Sequence, residues 1–202
     1  MEVSKIQLSN AEIELMQNAE IILTKNRVLE KVKSLLEIVQ EKQAAFAERF
    51  GLFETEIFQV AAKISKGENY LGLPYVILDY PRHSTGKSFF FIRTMFWWGN
   101  FFSCTLHLAK DSRQNFETRI ANSYSSLKDY YIAISDNEWV HHLKESDYRK
   151  IGAFTEEEFR DACRSFGFIK IAHRHSLAEW QTLSSELFER WKFLLTTCVL
   201  VS

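Results

Sequence analysis

Phe89-Phe90-Phe91-Ile92-Arg93-Thr94-Met95-Phe96-Trp97-Trp98 and Phe101-Phe102-Ser103-Cys104-Thr105-Leu106-His107-Leu108 flank a Gly99-Asn100 pair. Two runs rich in aromatic and β-branched residues, parted by residues that tolerate positive φ, have the pattern of antiparallel strands joined by a tight turn. A two-residue turn at Gly99-Asn100 sets Trp98 opposite Phe101, and the remaining pairs follow from it. Trp97 with Phe102, Met95 with Cys104, Arg93 with Leu106 and Phe91 with Leu108 are then expected on one face, apolar except for Arg93. The other face is expected to carry Trp98 with Phe101, Phe96 with Ser103, Thr94 with Thr105 and Ile92 with His107.

Helices are expected on both sides of this hairpin in the chain. Ser9-Asn10-Ala11-Glu12 has the spacing of a capping box, in which hydroxyl and carboxylate satisfy the free amides of a helix start, so a short helix should follow to about Ile22. Val28, Val32, Leu35, Leu36 and Val39 recur in steps of three and four or their sums, which predicts a long amphipathic helix over 25–50 ended at Gly51. Ser65 to Asn69 reads as a polar loop, and Pro74 to Tyr80 as a strand. Further on, a helix is expected over 113–127, a strand over 130–134, a helix opened by the Thr155/Glu158 box, and a strand over 168–173. The Ser176/Glu179 box should open the last helix, whose Leu177, Trp180, Leu187, Trp191, Leu194 and Cys198 share one side. The expected fold is α+β: an antiparallel sheet with a central aromatic hairpin, packed by long N- and C-terminal helices, as a single domain over 1–202.

Composition sets bounds on function. An aromatic content of 14% within 46% hydrophobic residues supplies enough apolar area for a sizeable core, which argues against disorder. With 25 basic against 26 acidic residues there is no overall field to hold nucleic acid or an anionic membrane. No apolar run approaches the ~20 residues of a membrane span, and the first residues lack the pattern of a signal peptide. Cys104, Cys163 and Cys198 are far apart in apolar settings, which suits reduced, buried thiols and a cytoplasmic protein.

Few motifs point to chemistry. Gly86-Lys87-Ser88 follows a strand as in a phosphate-binding loop, but Pro81 stands where the first glycine belongs and no helical period follows. His173-x-His175 puts two imidazoles on one side of a strand, yet no third metal ligand is evident, so neither metal nor cofactor is expected. Arg93 is the odd residue on an apolar face and must be paired or reach water. Asp79 on the neighbouring strand is its natural partner, either as a structural ion pair or as part of an anion clamp. Candidate ligand-binding residues are therefore Asp79, Arg82, Arg93 and His107.

The wording Lys63-Ile64-Ser65-Lys66-Gly67-Glu68-Asn69-Tyr70, Leu73-Pro74-Tyr75, Ile77-Leu78-Asp79-Tyr80-Pro81 and Ile92 to Phe102 resembles an uncharacterised family of bacterial proteins. That resemblance implies a bacterial, cytosolic setting and transfers no catalytic residue. The expected function is that of a non-enzymatic ligand- or partner-binding soluble domain. The alternative is an enzyme acting on a small anionic molecule, with Arg93 as clamp and His107 as acid/base. Expected partners are a small anionic ligand and a second copy joined through the terminal helices.

Overall fold

The structure, a computed structural model, describes residues 6–86 and 88–198, which leaves Lys87 of the Gly86-Lys87-Ser88 run outside the described residues. It is an α+β fold built on one seven-stranded sheet, antiparallel throughout, with the order β1-β2-β3-β4-β7-β5-β6. The strands are β1 (Lys63–Tyr70), β2 (Leu73–Thr85), β3 (Ser88–Trp97), β4 (Phe101–Ala109), β5 (Tyr131–Ala133), β6 (Tyr148–Lys150) and β7 (Phe168–Ser176). The helices are α1 (Asn10–Gln17), α2 (Ala19–Arg49), α3 (Asp111–Asn122), α4 (Tyr124–Leu127), α5 (Glu156–Arg164) and α6 (Leu183–Cys198). None of them is long and apolar enough to cross a membrane.

The aromatic hairpin forms, but one residue out of the expected step. Gly99, at φ 70, sits third in a turn over Trp97 to Asn100 closed by the Asn100 amide on the Trp97 carbonyl at 3.1 Å. Positive φ at that position is what a type II turn asks of glycine. Trp98 therefore belongs to the connection, and Trp97 pairs with Phe101, Met95 with Ser103, Arg93 with Thr105 and Phe91 with His107. Because side chains alternate with a period of two, this slip turns every β4 residue to the face opposite the expected one. Arg93 and His107, expected on opposite faces, share one.

Other expectations shift as well. The long helix starts at Ala19 instead of Lys25, with the Asn18 side chain accepting from the Glu20 amide. Ser65 to Asn69, expected as a loop, lies in β1, where polar residues suit a strand with water on its free edge. The Ser176/Glu179 box is present but caps a single 3-10 turn, and α6 begins only at Leu183.

Phe90, Ile92, Thr94 and Phe96 of β3 meet Leu108, Leu106, Cys104 and Phe102 of β4, and the helices cover this face. Leu29, Val32, Leu36 and Val39 of α2 and Leu183, Leu187, Trp191 and Leu194 of α6 are buried there. Trp191 lies parallel to Tyr80 at 6.2 Å, stands edge-on to Phe46 and Phe58, and donates its indole N–H to the Tyr80 carbonyl at 2.5 Å. Among the described residues no helix covers the opposite face. An irregular strap, residues 134–147 between β5 and β6, lies over it, with Val140 and Leu143 packed among Phe89, Phe168, Ala172 and Tyr148.

Candidate ligand-binding cleft

The strap-side face gathers the polar residues of the central strands into two neighbouring rows. One row runs Asp79, Arg93, Thr105, Ala172, and the next runs Arg82, Phe91, His107, Lys170. All four residues singled out from the sequence thus lie in adjacent rows. Arg93 grips Asp79 with both arms of its guanidinium, Nε to Oδ1 at 2.8 Å and Nη2 to Oδ2 at 2.9 Å. Its Nη1 reaches His141 Nε2 on the strap at 3.3 Å. Arg82 is directed elsewhere, its Nε donating to the Ala61 carbonyl at 2.7 Å.

Lys170, which sequence reasoning missed, is the most deeply buried cation of this face at 1% exposure. Its ammonium donates to the strap carbonyls of Glu138 and Val140 at 2.9 and 2.5 Å. Burial, reinforced by Arg93 and opposed by Glu138, brings it down from 10.5 to about 7. Tyr70 adds another anchor by accepting the His141 amide at 2.6 Å, and the Tyr148 hydroxyl donates to the Val140 carbonyl at 2.9 Å. Arg93, Lys170, Tyr70 and Tyr148 together fasten the strap to the sheet.

Where the strap reaches the end of β3, β4 and β7 it leaves a cleft of about 600 Å³. Its walls are two stacked ring pairs, Phe89 on Phe91 at 5.0 Å and Phe166 on Phe168 at 5.6 Å, with Trp139 tilted 6.0 Å from Phe89. Among the described residues the charged groups lining it are Lys110, Asp136 and Glu138. Lys110 holds φ 50 and ψ −118, a sparsely populated conformation for a side-chain-bearing residue, of the kind that collects at binding sites.

His107 lies beneath this cleft, its ring edge-on to Phe89, Trp139 and Phe168 at 4.7, 5.7 and 5.8 Å. Its Nε2 has no hydrogen-bond partner and stands 3.5 Å from a Glu138 carboxylate oxygen. Burial first, then Lys170 and Arg93, push it down to about 2, so the imidazole is neutral at ordinary pH. Arg93, Asp79, Arg82 and His107 are not among the residues that line this cleft.

On the helix side, His175 of the His173-x-His175 pair meets carboxylates, whereas His173 Nδ1 has no hydrogen-bond partner. His175 Nδ1 lies 3.1 Å from Glu186 Oε2 and 3.9 Å from Glu179 Oε2, and these three residues are the group spaced to hold a metal ion among the described residues. Each carboxylate also has protein donors, the Ser176 amide on Glu179 and the Thr182 hydroxyl on Glu186, so the group joins the end of β7 to α6 without needing an ion. Cys104 and Cys163 are free and buried, and burial pushes both thiols up to about 12, away from nucleophilic use.

Comparison with family models, with curated proteins and with solved structures gives no match in any of the three. Function is therefore argued from the geometry and chemistry of the site. The cleft rings of Phe166 and Phe168 left one signal in the sequence: Phe168, Lys170 and Ala172 share a side of a strand whose other side, Ile169 and Ile171, is also apolar. A lysine inside such a strand marks a polar site under cover, as Arg93 does in β3.

Proposed function

We propose that this protein is a non-enzymatic binding protein whose cleft takes a flat, ring-bearing small molecule carrying a protonated amine or similar donor. The supporting observation is the cleft itself, walled by two stacked phenylalanine pairs and Trp139, with two carboxylates against one ammonium among the described residues. Rings offer stacking surface to a planar ligand, and a few placed charges set its orientation. The balance of Asp136 and Glu138 over Lys110 favours a cationic end, in place of the anionic ligand expected from Arg93. That guanidinium is engaged by Asp79 and His141 and does not line the cleft.

The alternative, catalysis with His107 as acid/base, has less chemical support. General acid–base groups work best when their pKa lies near the operating pH, and a histidine held down to about 2 is a weak base that carries no proton to give.

Three probes with a shared ring separate these ideas: phenethylamine, benzyl alcohol and phenylacetate, titrated calorimetrically. Phenethylamine should bind about tenfold or more tighter than phenylacetate, a difference of about 1.4 kcal/mol. Asp136→Asn with Glu138→Gln should erase that preference, and Trp139→Ala should weaken all binding. Absence of binding by all three, or binding indifferent to Trp139→Ala, overturns the cleft as the site. A preference for phenylacetate overturns the cationic ligand.

A further inference from the structure

The His173-x-His175 pattern shows no third ligand in the sequence, and the fold supplies two carboxylates. β7 ends at Ser176, whose side chain caps a single turn, and that turn folds Glu179 back beside His175. Glu186 arrives from the first turn of α6, where the free amides of a helix start favour a carboxylate. Buried Leu183 and Leu187 fix that turn against the core, so Glu186 is delivered by a rigid element. His175 Nδ1 and a carboxylate oxygen of each glutamate all lie within 4.8 Å of one another. Ligands held about 2.0 to 2.1 Å from a tetrahedral zinc ion stand roughly 3.4 Å apart. At 3.1 Å, His175 and Glu186 already have that spacing. Glu179, at 3.9 Å and with half of its side chain exposed, reaches it by a shift of about half an ångström.

The imidazole sets this group apart from a surface cluster of acids. His175 is 3% exposed, and burial, the largest influence on it, holds its pKa below the usual value and so keeps it in the neutral form that binds metals. Its Nδ1 faces carboxylates, which only accept, so that nitrogen carries the ring proton and leaves Nε2 bare, buried and without a partner. A cation entering between the carboxylates takes Nδ1 and sends the ring proton to Nε2, and no hydrogen bond is forfeited at Nε2 because none is made there. Outer contacts already orient both glutamates, as they do around metal ligands. The Thr182 hydroxyl holds Glu186 Oε1 at 2.7 Å and leaves Oε2 to the site, while the Ser176 amide holds Glu179 Oε2 at 3.0 Å. Two carboxylates balance the charge of a divalent ion. Arg190 adds positive charge near His175 and Glu186, but its guanidinium lies over the Tyr130 ring, 5.8 Å from its centre. His173, its ring 4.7 Å from that of His175 and its Nδ1 unpartnered, brings a second imidazole to the same corner.

We propose that His175, Glu179 and Glu186 form a binding site for a zinc-like divalent transition-metal ion, with water completing its coordination. Imidazole nitrogen with carboxylate oxygen favours such an ion over calcium or magnesium, which take oxygen ligands, and over copper(I), which takes sulfur. The ion joins the end of β7 to α6 on the helix side of the sheet, apart from the aromatic cleft on the other side. The hydrogen bonds that hold this junction without an ion are the same ones that place its ligands.

The full chain, freed of metal with a chelator and titrated with Zn²⁺ by isothermal calorimetry, tests the site. It should take up one ion per chain with a dissociation constant of about 1 to 10 µM, weaker than four-ligand structural sites because one position is left to water. Mg²⁺ and Ca²⁺ in about a hundredfold excess should not displace it. Glu186→Gln and Glu179→Gln, both at partly exposed positions, should each weaken Zn²⁺ binding about tenfold or more with unchanged circular dichroism. Glu157→Gln, on the exposed side of α5, should leave binding as it is. His175→Gln should abolish binding; because that residue is buried, the two glutamate variants carry the test if it fails to fold. Absence of saturable uptake below about 100 µM, or uptake that survives both glutamate variants as adventitious binding does, overturns the site. Displacement by Mg²⁺ or Ca²⁺ overturns its assignment to a transition metal.

Discussion

The two faces of the sheet are covered by different means. On one, α2 and α6 lay down leucine, valine and tryptophan over Phe90, Ile92, Phe96 and Phe102, and cohesion scales with apolar area. On the other, a strap without regular structure is held at points, by Lys170 and Tyr148 at Val140, by Arg93 and Tyr70 at His141, and by Leu143 among rings. Area-based cover is strong and depends little on any single charge. Point-wise cover is weaker, sensitive to proton balance, and leaves room between anchors, which is where the cleft lies.

The largest effect that would break this contrast is on the helix side. Trp191→Ala removes a fully buried ring from between Tyr80, Phe46 and Phe58 and should cost about 3 to 5 kcal/mol in urea unfolding. A loss below 1 kcal/mol would mean that the helical layer is not the main source of stability.

The strap side should respond to pH. Lys170 titrates near 7 when folded and near 10.5 when unfolded, so the unfolded chain holds more protons between those values and stability must rise with pH. The cost of burying the ammonium is in full force below pH 7 and is relieved above it. Cys104 and Cys163, raised from 9.0 to about 12, act in the opposite sense above pH 9, which confines the clear window to pH 7–9. Over those two pH units the gain should be at most about 2 to 3 kcal/mol, at 1.36 kcal/mol per unit. Lys170→Met should flatten this rise in urea unfolding, and a variant curve parallel to the parent would remove Lys170 as its cause.

The smallest effect sharpens the comparison. Tyr70→Phe deletes one hydrogen bond to the His141 amide, worth about 1 kcal/mol. Its consequence should be local, with faster hydrogen exchange in residues 139–147 and unchanged exchange in α2. Uniform acceleration would show that strap and helical layer open together.

How much of this was legible follows the range of the interactions involved. Local signals read well: the boxes at Ser9/Glu12, Thr155/Glu158 and Ser176/Glu179 all form, because their partners are three residues apart. The hairpin was legible and its register was not, since Gly99-Asn100 fits a two- or a three-residue connection and the choice reverses β4. Polarity matching held the answer: only the observed step collects Thr94, Cys104, Ile92 and Leu106 on one side and Ser103, Thr105, His107 and Arg93 on the other. The strap was beyond reach. Residues 134–147 have no period, and their anchors Tyr70, Arg93 and Lys170 are each more than twenty positions away in the chain.

The strand order carries one more consequence. Its margins are β6, three residues long, and β1, which puts Lys63, Lys66 and Glu68 along the border. Short or charged borders resist the addition of further strands, so a chain this rich in phenylalanine is guarded against stacking into fibrils through its sheet.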